Sequence, residues 1–270
     1  MQPNRLRRAI DEPAGTAVGS LVMLEGGGTA RVLARSGYDF LVVDVQHGAF
    51  GASGVDAVLG AVRGADCAVI VRVAAGRPDQ IEWVLDQGAH GVMVPLVNNA
   101  DDARRAVAAC RYPPRGSRSV GGVRNLLERG PGYLSGADDD VVCIVQIEHV
   151  AALSNLDEIL AVPGIDLVTP GHVDLARSMG YVADYGGSIN SGGMAPDVQD
   201  ALREIRDACA RHGIPHVPVA GSQAEFVHAA GNGDRIVCFS SDYHQLRLAV
   251  TDNVEACRKV LGEGPAGGHP

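Results

Sequence analysis

The sequence predicts a (β/α)8 TIM barrel, and three observations carry the prediction. Eight short apolar runs recur along the 270 residues. Amphipathic segments of helical period separate most of them. The polar residues with chemical potential gather just after the runs, not before them. Strands that alternate with helices argue for a parallel sheet, and eight such units in about 250 residues suit a closed barrel. A doubly wound open sheet is the main competitor. With no internal repeat and no clear linker, residues 1–270 read as one domain.

The runs follow in order. Residues 18–23 (VGSLVM) form the first. Residues 40–43 (FLVV) are continuously apolar and contain two Val, which suits a strand buried on both faces. Gly26–Gly28 between them read as a turn into a helix ending near Ser36. The remaining runs are 68–72 (AVIVR), 91–95 (GVMVP), 141–147 (VVCIVQI), 165–168 (IDLV), 215–219 (PHVPV) and 235–239 (RIVCF). Helices are expected at 78–87, 100–110, 149–161, 196–211 and 242–260. Pro78 can occupy a first helical turn, and Gly88 fits the stop. Residues 112–140, rich in Pro, Gly and Arg, read as a long loop. So do residues 183–196, rich in Gly and Ser. Long loops in compact domains often serve as lids or subunit contacts.

Composition narrows the function. Aromatic residues make up only 4%, so Ala, Val, Leu and Ile must build the core. The formal net charge is −9 and basic residues are scattered beyond the short RLRR near the N-terminus. That argues against nucleic-acid binding. No apolar run approaches the roughly 18 residues that span a bilayer, and MQPNRLRRAIDEPAG lacks a signal-peptide centre. The expected location is cytoplasmic, with no membrane partner. The six cysteines form no CxxC pair and read as buried free thiols.

In a parallel barrel the chemistry sits at the C-terminal ends of the strands. After FLVV come Asp44, Gln46 and His47. After AVIV comes Arg72. The run ending CIV leads to Gln146 and Glu148. IDLV leads to Thr169, then to GHVD ending at Asp174. Glu148 and Asp174 are hard oxygen donors on neighbouring strands, suited to Mg²⁺ or Mn²⁺, or else to capping the helices that follow. Arg72 suits fork-like recognition of a carboxylate or phosphate, or an ion pair with an acid such as Asp44. His47 stands three residues past Asp44, so Asp44 could orient the imidazole as a general base. The sole lysine, Lys259, lies far from any strand end, which argues against a Schiff-base mechanism.

Taken together, several stretches resemble the HpcH/HpaI aldolases, metal-dependent class II pyruvate aldolases. They are SGYDFLVVDVQHG, VRVAAG, LDQGAHGVMVPLVNNADDARRAVAACRYPPRGSRSVGG, VQIEHVAALSNLDEILAVPGIDLV, GHVDLARSMG and CFSSDYHQL. The resemblance implies a (β/α)8 barrel assembled as a homo-oligomer, a trimer or hexamer, with the last helix exchanged between subunits. It implies a divalent cation (Mg²⁺, Mn²⁺ or Co²⁺) held by Glu148 and Asp174. Arg72 would face a pyruvate-like ligand with Gln146 nearby, and backbone around Gly171, His172 and Val173 would cradle it. His47 would take part in proton transfer, and Asp86 matches a position near the subunit contact. The substrates implied are a 2-keto acid and an aldehyde or second carbonyl compound.

Two positions depart from the family pattern. The family usually reads DxEHG, and here Gln46 replaces the acid. The family usually reads GPADL, and here His172 and Val173 replace Pro and Ala. Three functions follow as expectations. The first is an aldolase or lyase working through a pyruvate enolate. The second is a decarboxylase of oxaloacetate that uses the enolate for another addition, as in some relatives in secondary metabolism. The third is a catalytically weakened relative that binds a keto acid.

Overall fold

A computed structural model describes residues 3–12, 14–181 and 195–262. Its strands are β1 (Ala17–Val22), β2 (Phe40–Asp44), β3 (Ala68–Arg72), β4 (Gly91–Val94), β5 (Val142–Ile147), β6 (Leu167–Pro170), β7 (Val219–Ala220) and β8 (Ile236–Ser241). All pair in parallel in the order β6-β5-β4-β3-β2-β1-β8-β7. The seam between β6 and β7 closes through a bridge from Val168 to His216. Val217 N–H donates to the Val168 oxygen at 2.8 Å across it. The expected barrel is therefore present.

Strand alternation divides the apolar residues into two layers. Phe40, Val42, Ile70, Met93, Ile144 and Leu167 fill the interior. Leu41, Val43, Val69, Val71, Val92 and Val145 face out against the helices. The Phe40 ring lies over Gly19, where a Cβ would come within 2.2 Å of it. A larger residue there would displace the ring from the barrel centre.

The first helices are α1 (Arg5–Asp11), α2 (Gly27–Arg35), α3 (Ala52–Ala61), α4 (Pro78–Asp86) and α5 (Ala100–Cys110). Helix α1 was not legible as an element. It closes the barrel at the strand N-termini. Leu6 and Ala9 enter the interior cluster, and Arg7 pairs with Asp166 at 2.8 Å. Pro78 does start α4, and Gly88 follows it at φ +96°.

Residues 112–140 are not a plain loop. They contain α6 (Val123–Arg129) and α7 (Tyr133–Asp140). Arg118, fully buried, organises them. It donates to the Tyr133 hydroxyl at 3.1 Å and to Asp86 Oδ1 at 2.8 Å, and its guanidinium stacks 4.7 Å from the Tyr112 ring centre. The helix expected at 149–161 divides into α8 (Val150–Ser154) and α9 (Leu156–Leu160). Between them the Asn155 side chain donates to the Asn98 oxygen at 2.9 Å. The run at 215–219 leaves only Val219 in β7, because Pro215 and Pro218 have no N–H for a ladder. The run at 165–168 forms its strand two residues later.

Helices α10 (His172–Ser178), α11 (Pro196–His212), α12 (Gln223–Gly231) and α13 (Asp242–Val260) complete the chain. Most of the loop expected at 183–196 lies outside the described residues. Helix α13 leaves the barrel almost wholly exposed, with Leu246, Leu248, Val250 and Val254 among its uncovered apolar residues. Among the described residues no helix is long and apolar enough to cross a membrane.

Candidate active site at the barrel mouth

Asp44 and Arg72 end neighbouring strands at the same level, paired in the parallel register. Asp44 is completely buried. Its Oδ1 accepts from Arg72 Nε at 2.9 Å and its Oδ2 from Arg72 Nη2 at 2.7 Å. This fork fixes the guanidinium with most of its surface already desolvated. Asp44 Oδ1 also accepts from the backbone N–H groups of Gln46 and His47, both at 3.1 Å. The described bond between Asp44 and His47 is to the His47 backbone N–H, not to its imidazole. Asp44 shapes the loop through its backbone and holds Arg72. His47 itself is exposed at the mouth.

Glu148 follows β5 and is 1% exposed. Its Oε1 accepts from the Leu96 N–H at 2.7 Å, and its Oε2 accepts from Gln146 Nε2. Burial pushes the carboxyl pKa up from 4.5 to about 7, and the nearby negative charge of Asp174 adds to the rise. The Leu96 N–H, Arg72 and Gln146 pull the other way. The anion is thus short of positive charge. Gln146 Oε1 and Gln46 Oε1 are also buried, with no partner among the described residues. Leu96 adopts φ +55°, a left-handed conformation rare outside glycine. That conformation presents its N–H to Glu148.

Gly171 begins the loop into α10. A Cβ there would lie 2.5 Å from Glu148 Cβ and Oε2, and 2.7 Å from Gln146 Nε2. Only glycine lets this backbone close over the carboxylate. The first intrahelical bond of α10 runs from Leu175 N–H to the Gly171 oxygen, so the N–H groups of His172, Val173 and Asp174 lie ahead of the helix ladder. Asp174 sits in that exposed first turn.

The mouth therefore brings together Asp44, Arg72, Gln146, Glu148, Gly171 and Asp174, with His47 at its edge. One expected member, Asp86, stands apart. Among the described residues no three His, Cys, Asp or Glu side chains cluster as a metal site; His172, expected in the cradle, begins α10 next to Gly171. Asp86 ends α4, which runs away from the mouth, and pairs with Arg118 at 2.8 Å. Leu96 went unnoticed in the sequence because its contribution is a backbone N–H.

The comparisons with known proteins settle the family. The HpcH/HpaI aldolase/citrate lyase family description matches residues 24–248. The chain belongs to the HpcH/HpaI aldolase/citrate lyase family. It is 37% identical over 232 residues to the 4-hydroxy-2-oxovalerate aldolase of Rhodococcus jostii (strain RHA1), covering 80% of this chain and 89% of the relative. It is 35% identical over 246 residues to the hydroxypyruvate/pyruvate aldolase of Rhizorhabdus wittichii, covering 91% and 88%. A solved HpcH/HpaI aldolase/citrate lyase family structure from Burkholderia cenocepacia J2315 superposes with TM-score 0.86 at 29% identity, covering 94% of this chain and 99% of that one. In this HpcH/HpaI chain, the stretches from SGYDFLVVDVQHG to GHVDLARSMG lie within the matched residues and supply every side chain of the mouth described above.

Proposed function

We propose that this chain is a carbon–carbon lyase, a class II aldolase that makes or breaks a bond next to the enolate of pyruvate. The observation that carries the reading is buried Glu148 beside Asp174, facing an Arg72 locked in place by Asp44. Relatives named as aldolases of pyruvate and of hydroxy-keto acids support it. The substrates are then a 2-keto acid and an aldehyde or second carbonyl compound.

The family is generally divalent-metal dependent, and the residues of this mouth fit such an ion. Glu148 and Asp174 are hard oxygen donors, and Glu148 carries a charge that burial disfavours unless a cation is near. The unpartnered Gln146 oxygen lies in the same place. Mg²⁺, Mn²⁺ and Co²⁺ all suit this donor set. When bound, the cation supplies Lewis-acid stabilisation of the negative charge that develops on the keto oxygen.

The side chains divide the remaining work. Arg72 keeps guanidinium donors beyond the two that Asp44 occupies, and these meet the keto acid where charge accumulates. The early N–H groups of α10, around His172 and Val173, bind the substrate carboxylate. In cleavage, His47 accepts the proton of the 4-hydroxyl. The C3–C4 bonding pair then stays with the three-carbon fragment as its enolate, and the aldehyde leaves. A proton returned to C3 gives pyruvate. Gln146 orients Glu148. Gln46 modulates the mouth as a neutral group where relatives usually carry an acid.

Uncovered apolar residues on α13 support assembly into a trimer or hexamer with that helix exchanged. Asp86, at the far end of its own barrel, is then placed to serve a neighbouring copy. The proposed location is cytoplasmic.

The buried, unpartnered Gln46 oxygen favours a second reading, decarboxylation of oxaloacetate followed by enolate addition. One assay separates the two. With Mg²⁺, Mn²⁺ or Co²⁺ present, release of pyruvate from a 4-hydroxy-2-oxo acid supports the aldolase. Carbon dioxide release from oxaloacetate without that cleavage supports the second reading and overturns the first.

A further inference from the structure

A cavity of about 560 Å³ lies between α11 and α12, against the outer face of the β7 segment, and reaches Pro170 and His172 at the end of β6. Leu202 and Pro218 give it apolar walls. Its polar lining is asymmetric. The side chain of His216 is 10% exposed and that of Asp234 7%, and His216 Nδ1 meets Asp234 Oδ1 at 2.8 Å. The carboxylate accepts, so Nδ1 carries the hydrogen and Nε2 is left as an acceptor. Nε2 is buried with no partner among the described residues. Glu225 repeats the pattern. Its Oε2 accepts from the Gly221 N–H at 2.8 Å, while its buried Oε1 has no described partner. Arg206 faces the same space from α11, with only a 3.3 Å contact to the adjacent Asp207 described for it.

We propose that this cavity is a second binding site, beside the barrel mouth and meeting it at His172, for a small polyhydroxylated carboxylate. Two buried acceptors need hydroxyl donors, and Arg206 supplies the charge for a carboxylate. The volume lies within the range of ordinary small-molecule sites. The cavity reaches the end of β6 at Pro170 and His172, beside the mouth, while its two unpartnered acceptors lie on the outer side of β7.

D-Gluconate is the test probe, followed by calorimetry and by NMR line broadening on the intact protein with its metal. Sorbitol keeps the hydroxyls without the charge, and hexanoate keeps the charge without the hydroxyls. Gluconate is expected to bind saturably, and each control at least tenfold more weakly. Arg206→Gln and Glu225→Gln should each weaken gluconate at least tenfold while leaving the unfolding temperature and the aldolase rate unchanged. Arg72→Lys should leave gluconate binding intact. No saturable binding, equal binding of all three probes, or indifference to Arg206→Gln and Glu225→Gln would overturn the site. Loss of binding in Arg72→Lys would place gluconate in the mouth instead and overturn it equally.

Discussion

Glu148→Gln is expected to stabilise the metal-free fold, and increasingly so as the pH rises. Burial, reinforced by Asp174, lifts the Glu148 pKa from 4.5 to about 7. The folded chain thus holds this proton more tightly than the unfolded chain does. Below pH 4.5 both states are protonated and the group contributes nothing. Between 4.5 and 7 the folded state binds more protons, so stability falls as the pH rises, and above 7 the cost is complete. At about 1.4 kcal/mol per tenfold change in proton affinity, the full cost is about 3 kcal/mol. Glutamine keeps an oxygen for the Leu96 N–H and removes the charge. Thermal unfolding with chelator present should therefore show the variant gaining on the wild type between pH 5 and pH 8, by about 5 °C at the upper end. Added divalent cation should reverse the order by stabilising the wild type alone. A difference that stays constant from pH 5 to pH 8, or a variant less stable than the wild type at pH 8 without metal, would refute the reasoning.

Other substitutions probe the neighbouring contacts. Gly171→Ala places a Cβ 2.5 Å from Glu148, so calorimetry should show at least tenfold weaker metal binding in a chain that still folds. Leu96→Gly keeps the N–H and removes the strain of φ +55°, worth roughly 1 kcal/mol, so metal affinity should hold. Leu96→Pro deletes the donor, and metal affinity should fall at least tenfold. Asp44→Asn breaks the fork that fixes Arg72, and steady-state kinetics should show kcat/KM lowered by about 100-fold, or ~3 kcal/mol of transition-state stabilisation.

The barrel was legible because its signal is local. Runs such as FLVV and CIVQI carry their strand character in four to six residues, and the helices between them keep a helical period. Helices α1, α3, α6, α7 and α12 went unread, and distant partners hold α1, α6 and α7. Asn4 bonds Asp140 at 2.7 Å, and Arg118 ties Tyr133 to Asp86. No window of sequence contains such pairs. At the mouth, Arg72, Gln146, Glu148 and Asp174 could be read from their places after strand ends. The role of Asp44 could not be read from its spacing to His47, since a three-residue separation suits either a side-chain contact or a backbone turn. Register decides it. Asp44 and Arg72 end adjacent parallel strands at one level, so their side chains meet.

Proton exchange at the methyl group of pyruvate, followed by NMR in deuterated water, tests the enolate account most directly. The wild-type protein with Mg²⁺, Mn²⁺ or Co²⁺ should exchange the methyl protons with no aldehyde present. Arg72→Lys and Glu148→Gln should each slow that exchange at least 100-fold. A wild-type protein that binds pyruvate and metal yet leaves the methyl protons in place would contradict it.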